Sequence, residues 1–376
     1  MVEKPHDAIL IVAASEKESN LYYATKFLAP DPFIFADIRS KTYLLMSDLE
    51  IDRAKAQAKV EEVLSVTKIS TSLKAKGVET TTVNLVDLFF KEHQVKQILV
   101  PTSFSVALAD GLRQKGYTLT TKGEPFYEER LYKTDEEMEE ITKTLRHTEA
   151  ALKEAIDTIA ASQPKGGKLY TNGELLTSER IKKIINVKLM EYNCVAEHTI
   201  VSCGKDCVDP HNQGSGPLLA DESIVLDVFP RSADSRYFAD ITRTVVKGKA
   251  SPRLKKMYEV VKEGQEIGFR YLKDGVDGRE VHHRIMQYFE KEGFKTGEMG
   301  GRMQGFFHGT GHGVGLDIHE PPRIGSVSDV MRERVVVTVE PGLYYLDSGG
   351  VRLEDMVVVT KNGVRNLTKF PKVLEV

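Results

Sequence analysis

The sequence predicts an α+β carboxy-terminal domain behind a smaller α/β domain, and three observations carry that expectation. Over the first 125 residues, short apolar runs alternate with helix-length amphipathic segments, the pattern of helices layered on a sheet. A polar break at 121–125 separates them from a capping signal at Thr134 that opens a long helix. Four β-like runs then lie among further helices, each carrying an acid where an apolar residue is expected.

In chain order, Ala8-Ile9-Leu10-Ile11-Val12 predicts a buried strand from its unbroken apolar run. Phe33-Ile34-Phe35 and Tyr43-Leu44-Leu45-Met46 predict two more, divided by the polar turn 37–41. A helix is expected over 48–64, then strands at Thr80-Thr81-Thr82-Val83 and Gln97-Ile98-Leu99-Val100. The helix predicted over 104–115 stops at Gly116. These readings divide the chain into a domain over 1–125, a linker over 126–133 and a domain over 134–376. Thr134 and Glu137 have capping-box spacing, and Met138, Ile141, Leu145, Leu152, Ile156 and Ile159 share one face behind them. Helices follow over 178–190, over 252–272 after the Ser251-Pro252 start signal, and over 279–292 before Gly293. The runs 223–229, 237–246, 334–340 and 351–360 read as strands of a mostly antiparallel sheet.

Composition narrows the function classes. The 376 residues are 41% hydrophobic and 28% charged, which excludes a disordered chain. Lys+Arg 52 against Asp+Glu 55 leaves a net charge of -3, no footprint for nucleic acid. The longest apolar stretch, 8–14, is far below the roughly 20 residues of a membrane span, and the residues before it are not a basic leader. The three cysteines define no disulfide framework, so a cytoplasmic chain without membrane partners is expected. Cys194, His198, Cys203 and Cys207 lack paired C-x-x-C spacing and read as free thiols beside an ordinary histidine, while His282 and His283 read as structural residues of their helix.

The acids need a separate explanation. Asp227 sits inside Ile224-Val225-Leu226-Asp227-Val228-Phe229, Asp240 inside a second run, Glu340 at the end of a third, and Glu354 and Asp355 inside a fourth. A buried unpaired carboxylate costs several kcal/mol or shifts its pKa until it is neutral. One such residue is ordinarily paired. Four in one domain repel one another unless cations lie among them, so the pattern points to a metal cluster. The run from His308 to Pro322 adds His308, His312 and His319, and its glycines favour a tight backbone over a helix.

The ordered set Asp227, Asp240, His312, Glu340 and Glu354 resembles the five-ligand site of the pita-bread metallopeptidases. The matching motifs are Asp240-Ile241-Thr242-Arg243-Thr244, Gly311-His312-Gly313, His319-Glu320-Pro321, Glu340-Pro341-Gly342 and Arg352-Leu353-Glu354-Asp355. The resemblance covers about 134–376, and Asn20-Leu21-Tyr22-Tyr23-Ala24 matches a creatinase-like amino-terminal domain more diffusely. Such a domain points to the proline-specific branch, the Xaa-Pro dipeptidases (prolidases) and Xaa-Pro aminopeptidases, and the complete ligand set speaks against creatinase and against a non-catalytic binding module. One departure stands out: Asp227 and Asp240 are thirteen positions apart where the family commonly has eleven. An even insertion in the turn 230–236 keeps both side chains on their faces.

The resemblance implies two divalent ions per subunit, Mn²⁺ foremost, with Co²⁺ or Zn²⁺ as alternatives. Asp240 and Glu354 would bridge them, Asp227 would chelate one, and His312 and Glu340 would complete the other. A bridging hydroxide would then attack the peptide bond, with Glu340 as proton shuttle and His319 stabilising the oxyanion. His211, His308 and His319 would touch substrate, and Arg352 and Thr242 would stand behind the ligands. The expected substrate is a small peptide with proline second, a dipeptide or, alternatively, a longer peptide losing its first residue. A homodimer is implied as well.

Overall fold

The computed structural model describes residues 6–376; residues 1–5 lie outside the described residues. The chain divides into two compact units, one ending at Tyr127 and one spanning Glu128–Val376.

The first unit is a six-stranded mixed sheet flanked by helices. The strand Ala8–Ala13 lies inside it, antiparallel to Phe33–Ile38 and parallel to Gln97–Pro101. Two expectations are corrected here. Residues 80–83 form no strand: the Thr81 side chain caps the helix Thr82–Glu92 by accepting from the Asn84 amide. That local bond outweighs the β preference of a threonine run. The helix expected over 48–64 covers only Ile51–Gln57, because Glu62–Ser65 pairs as a parallel edge strand with Lys41–Met46. Tertiary pairing there overrides local propensity.

The second unit opens with the short 3₁₀ turn Glu128–Leu131 and the helix Asp135–Ala161, whose Thr134–Glu137 capping box has both hydrogen bonds. Its strands are antiparallel, in a three-stranded sheet containing Ile224–Val228 and Ile241–Val245 and a five-stranded sheet containing Gly311–Gly313, Val336–Val339 and Asp355–Thr360. The helices Pro252–Tyr271 and Gly278–Lys291 pack on the latter through Met257, Val261, Ile285 and Phe289 against Val337, Val339 and Val357. Contact is close: a Cβ on Gly268 would stand 2.7 Å from a Val339 methyl. The helix therefore lies directly on the strand that ends at Glu340.

Strand boundaries differ from expectation in an informative way. Asp227 lies inside its strand, but Asp240 immediately precedes Ile241–Val245, and Glu340 immediately follows Val336–Val339. Glu354 occupies the break between Gly349–Arg352 and Asp355–Thr360. Between Asp227 and Asp240 the chain turns where the Arg236 amide donates to the Ser232 carbonyl, and Asp227 is paired with Thr242.

Arg243 joins these ends. Wholly buried, it donates to Asp355 Oδ1 at 2.8 Å and to the carbonyls of Thr242, Glu354, Phe370 and Pro371. Burial alone would raise the Asp355 carboxyl, but Arg243 and Lys372 outweigh it and hold the group below its usual range. Asp355→Asn should cost roughly 3–5 kcal/mol in chemical denaturation, because it leaves a buried guanidinium uncompensated. With the folded pKa depressed, the Asp355 contribution is complete above the unfolded value of about 3.9 and is lost as pH falls through the folded one. The wild-type advantage over the variant should therefore shrink in acid.

Candidate metal centre

The strand ends converge on a cavity of about 300 Å³ within the second unit. Asp227, Asp240, His312, Glu340 and Glu354 line it, together with His211, His308, His319 and Arg352. Every residue to which the resemblance gives a site role is thus at this wall except Thr242, which donates to Glu354 Oε2 at 2.7 Å. One ligating atom each of Asp240, His312 and Glu354 falls within 4.8 Å of the others. His312 Nε2 is also 3.3 Å from Glu340 Oε1 and 3.7 Å from Asp240 Oδ2.

Local structure explains the convergence. Gly311-His312-Gly313 forms a short strand pressed between neighbours, where a Cβ on Gly311 would meet the Thr338 carbonyl at 2.0 Å. The His312 amide donates to Thr338 Oγ1, and that hydroxyl donates on to Glu340 Oε1 at 3.2 Å. Arg352 supplies the cation behind the cluster. Its Nη2 donates to Asp227 Oδ2 at 2.7 Å, its Nη1 to Tyr344 Oη at 2.9 Å, and its Nε to Thr242 Oγ1 at 3.3 Å.

The electrostatics follow from burial. Asp240 and Glu354 are pushed well above the usual carboxylate range, first by desolvation, then by neighbouring charges: Glu354, Asp227 and Glu340 for Asp240, and Glu340 and Asp227 for Glu354. Burial presses on Glu340 too, but the hydrogen bond and charge of His312, with His308 and Arg352 nearby, bring it down to about 2. His308 and His319 are pushed to about 4, chiefly by desolvation, and so are neutral imidazoles near pH 7.

The donor set fits a divalent cation. Asp227 Oδ1, Asp240 Oδ1 and Glu354 Oε1 are buried with no hydrogen-bond partner among the described residues. A proton neutralises one carboxylate, whereas a divalent cation satisfies several acceptor oxygens at once and offsets their summed charge. Oxygen donors with a single imidazole are a set that Mn²⁺, Co²⁺ and Zn²⁺ all accept.

Several supporting residues escaped the sequence. Gln265, fully buried on the helix Pro252–Tyr271, donates from Nε2 to the carbonyls of Val339 at 2.8 Å and Leu353 at 3.2 Å. It thereby ties together the residues preceding Glu340 and Glu354. A polar side chain on the stripe Met257-Val261-Gln265 was the available signal. Glu320 is buried against Arg130 and Lys133, its Oε2 2.9 Å from Lys133 Nζ, and anchors the loop that presents His319. Tyr344 takes His308 Nε2 at 2.9 Å while His308 Nδ1 meets the Gly309 carbonyl, so both nitrogens of His308 are engaged within the protein.

Comparison with known proteins agrees with this geometry. Residues 139–361, more than half of the chain, match the model of metallopeptidase family M24. The chain is 28% identical to an Xaa-Pro dipeptidase of Pyrococcus furiosus over 95% of its own length and 93% of that protein. Identity to the Xaa-Pro dipeptidase of Pyrococcus horikoshii is 29%, covering 77% of this chain and 78% of the other. Among solved structures, an X-Pro aminopeptidase from Thermotoga maritima superposes with a TM-score of 0.82 at 24% identity, over 99% of this chain and 98% of that one. The prolidase from Pyrococcus furiosus gives 0.78 at 24% identity, over 98% and 97%. The fold is that of these proteins, the pita-bread architecture preceded in the chain by a smaller α/β unit.

Two expectations follow from the site. Because Asp240 and Glu354 have raised folded pKa values, the metal-free folded state binds more protons than the unfolded one. Its stability should therefore fall as pH rises from about 4 toward neutrality. Divalent ions compete with those protons, so the rise in Tm on adding Mn²⁺ should be larger at about pH 8 than at about pH 5.5. Thermal melts with and without the ion measure both, and an equal shift at the two pH values would contradict the proton loading. Gln265→Leu, which strands two carbonyls, should cost roughly 1–3 kcal/mol and weaken Mn²⁺ binding in calorimetric titration.

Proposed function

The chain belongs to metallopeptidase family M24, and from that premise we propose that it hydrolyses the peptide bond preceding proline in short peptides, dipeptides foremost. The observation that carries this reading is the set of partnerless buried carboxylate oxygens facing His312 in one cavity. The substrate class is supported by the Xaa-Pro dipeptidases that this chain resembles over nearly its whole length.

Asp227, Asp240, His312, Glu340 and Glu354 would hold two divalent ions, with Mn²⁺ the preferred species. Bound there, such ions supply Lewis acidity toward the scissile carbonyl and make a water molecule more acidic. The protein's own residues do the rest. Glu340, ionised at neutral pH, takes a proton from the attacking water and returns it to the departing imide nitrogen, which has no N–H of its own. His319, a neutral imidazole at the cavity wall, donates its N–H to the developing oxyanion. His211 also lines the cavity and serves as a polar substrate contact. His308 has both nitrogens occupied and contributes a fixed ring against which the proline packs.

Arg323, on the strand Glu320–Ile324, is an addition to the expected set. It lines the cavity and makes no ion pair among the described residues, which leaves its guanidinium available to the free carboxylate of a short peptide. We take the native assembly to be a homodimer in the cytoplasm, as the resemblance implies. No helix among the described residues is long and apolar enough to cross a membrane.

Purified protein loaded with Mn²⁺ should release proline from Gly-Pro, and EDTA should abolish the activity. Turnover of Gly-Pro-Ala without turnover of Gly-Pro would reject the dipeptidase reading, and activity that survives EDTA would reject metal dependence. Glu340→Gln should lower kcat by at least about 100-fold through loss of the proton carrier.

A further inference from the structure

His319 owes its place to its backbone. Its ring makes no hydrogen bond among the described residues and touches His312 edge-on, with centroids 4.5 Å apart. It ends the connection 314–319 between the strands Gly311–Gly313 and Glu320–Ile324, which pair at its base through Gly313 and Glu320. Within that connection the Gly315 amide donates to the Asp317 carbonyl, and the Gly315 carbonyl accepts from the Phe238 amide at 2.8 Å. What fixes this loop therefore fixes the imidazole.

The Glu320 side chain turns back into the loop. Its Oε1 accepts from the Asp317 amide at 3.1 Å, and a Cβ on Gly315 would stand 2.5 Å from its Oε2. Its countercharges come from the start of the second unit, nearly 190 residues earlier in the chain. Arg130 Nη2 pairs with Glu320 Oε1 and donates to Asp317 Oδ2 at 2.8 Å, while Lys133 Nζ donates to Glu320 Oε2 at 2.9 Å and to the Arg130 carbonyl. Lys133 is itself held, its amide donating to the Arg334 carbonyl at 3.0 Å and its carbonyl accepting from Arg334 Nε at 2.7 Å. The side chains of Arg130, Lys133 and Glu320 are at most 5% exposed. Burial would raise the Glu320 carboxyl, but the two cations outweigh it and keep the group ionised. A buried ion cluster of this kind adds little stability over apolar packing. It does fix direction, because any shift of the loop would leave a charge buried and unpaired.

Resting on the oxyanion role proposed for His319, we propose that Arg130 and Lys133 are positioning residues of the reaction: through Glu320 they set the loop so that the His319 imidazole stands where the oxyanion develops. Neither residue lines the cavity, so neither touches substrate or metal. A displacement of about 1 Å can cost about 100-fold in rate, so the pair acts on kcat and leaves substrate and metal affinity alone.

The test is a double-mutant cycle on the Mn²⁺-loaded full chain with Gly-Pro. Lys133→Gln keeps a hydrogen-bond donor and removes the charge; kcat should fall about 10- to 100-fold. KM, and Mn²⁺ affinity in calorimetric titration, should stay within about threefold. In a His319→Ala background the same substitution should change kcat by no more than about twofold, since the ring that it positions is gone. An unchanged kcat for Lys133→Gln, an equal fold-loss with and without His319, or a matching loss of Mn²⁺ affinity would overturn the inference. If thermal melts show that Lys133→Gln does not fold, Asp317→Asn on the half-exposed side chain runs the same cycle, with an expected loss of about threefold or more. Wild-type activity in that variant would overturn the inference equally. Absence of Gly-Pro turnover by the wild-type chain would strike the peptidase reading and this inference together, whereas wild-type turnover with equal losses in both backgrounds strikes the inference alone.

Discussion

Mutual repulsion among buried carboxylates is the constraint around which the second unit is arranged. Asp227, Asp240 and Glu354 are each less than a tenth exposed, and each keeps an oxygen without a hydrogen-bond partner among the described residues. A single guanidinium, Arg352, cannot neutralise them. The fold tolerates the arrangement through protons on Asp240 and Glu354 when no ion is bound, and through cations when one is. A site of this kind is strained toward its ligand: the same desolvation that raises the pKa of an acid also sharpens its attraction for a divalent ion.

Holding such groups close requires backbone rigidity, and strand ends supply it. Three of the four acids stand just outside a strand, where the chain leaves the ladder and its side chains can turn toward a common point. Gln265, Arg243 and Thr338 secure those ends from three directions, bonding respectively to the carbonyls before Glu340 and Glu354, to Asp355 with the Glu354 carbonyl, and to His312 with Glu340. None of these three holds substrate. Their role is geometric, and the helix carrying Gln265 lies flat on the sheet because Gly264 and Gly268 leave room for Phe289 and Val339.

Histidines show how environment separates residues of one type. His312 faces carboxylates at 3.3 and 3.7 Å, whereas His308 turns both nitrogens inward to Gly309 and Tyr344. His319 stands at the cavity wall, edge-on to His312 at 4.5 Å, on a loop anchored by the buried Glu320 with Arg130 and Lys133. His282 is buried beside Phe306 and its Nδ1 meets Thr310 Oγ1 at 2.9 Å. Residue type is the same at all four; the surroundings distinguish a candidate ligand from a wall.

Taken alone, the sequence determined the chemistry: acids placed in apolar β-runs, a histidine between glycines, and a capped helix opening the domain are local patterns whose cost or benefit is local. For the same reason the caps at Thr134 and Ser251 and the long amphipathic helices were legible. What depended on distant partners was not. The strand at 62–65 exists because of its pairing with 41–46, Thr81 serves a helix instead of a strand, and Asp240 and Glu354 lie outside ladders that seemed to include them. Gln265, Glu320 and Tyr344 take their importance from atoms tens of residues away. Burial and through-space distance are set by the packed chain, and no period or spacing along the sequence encodes them.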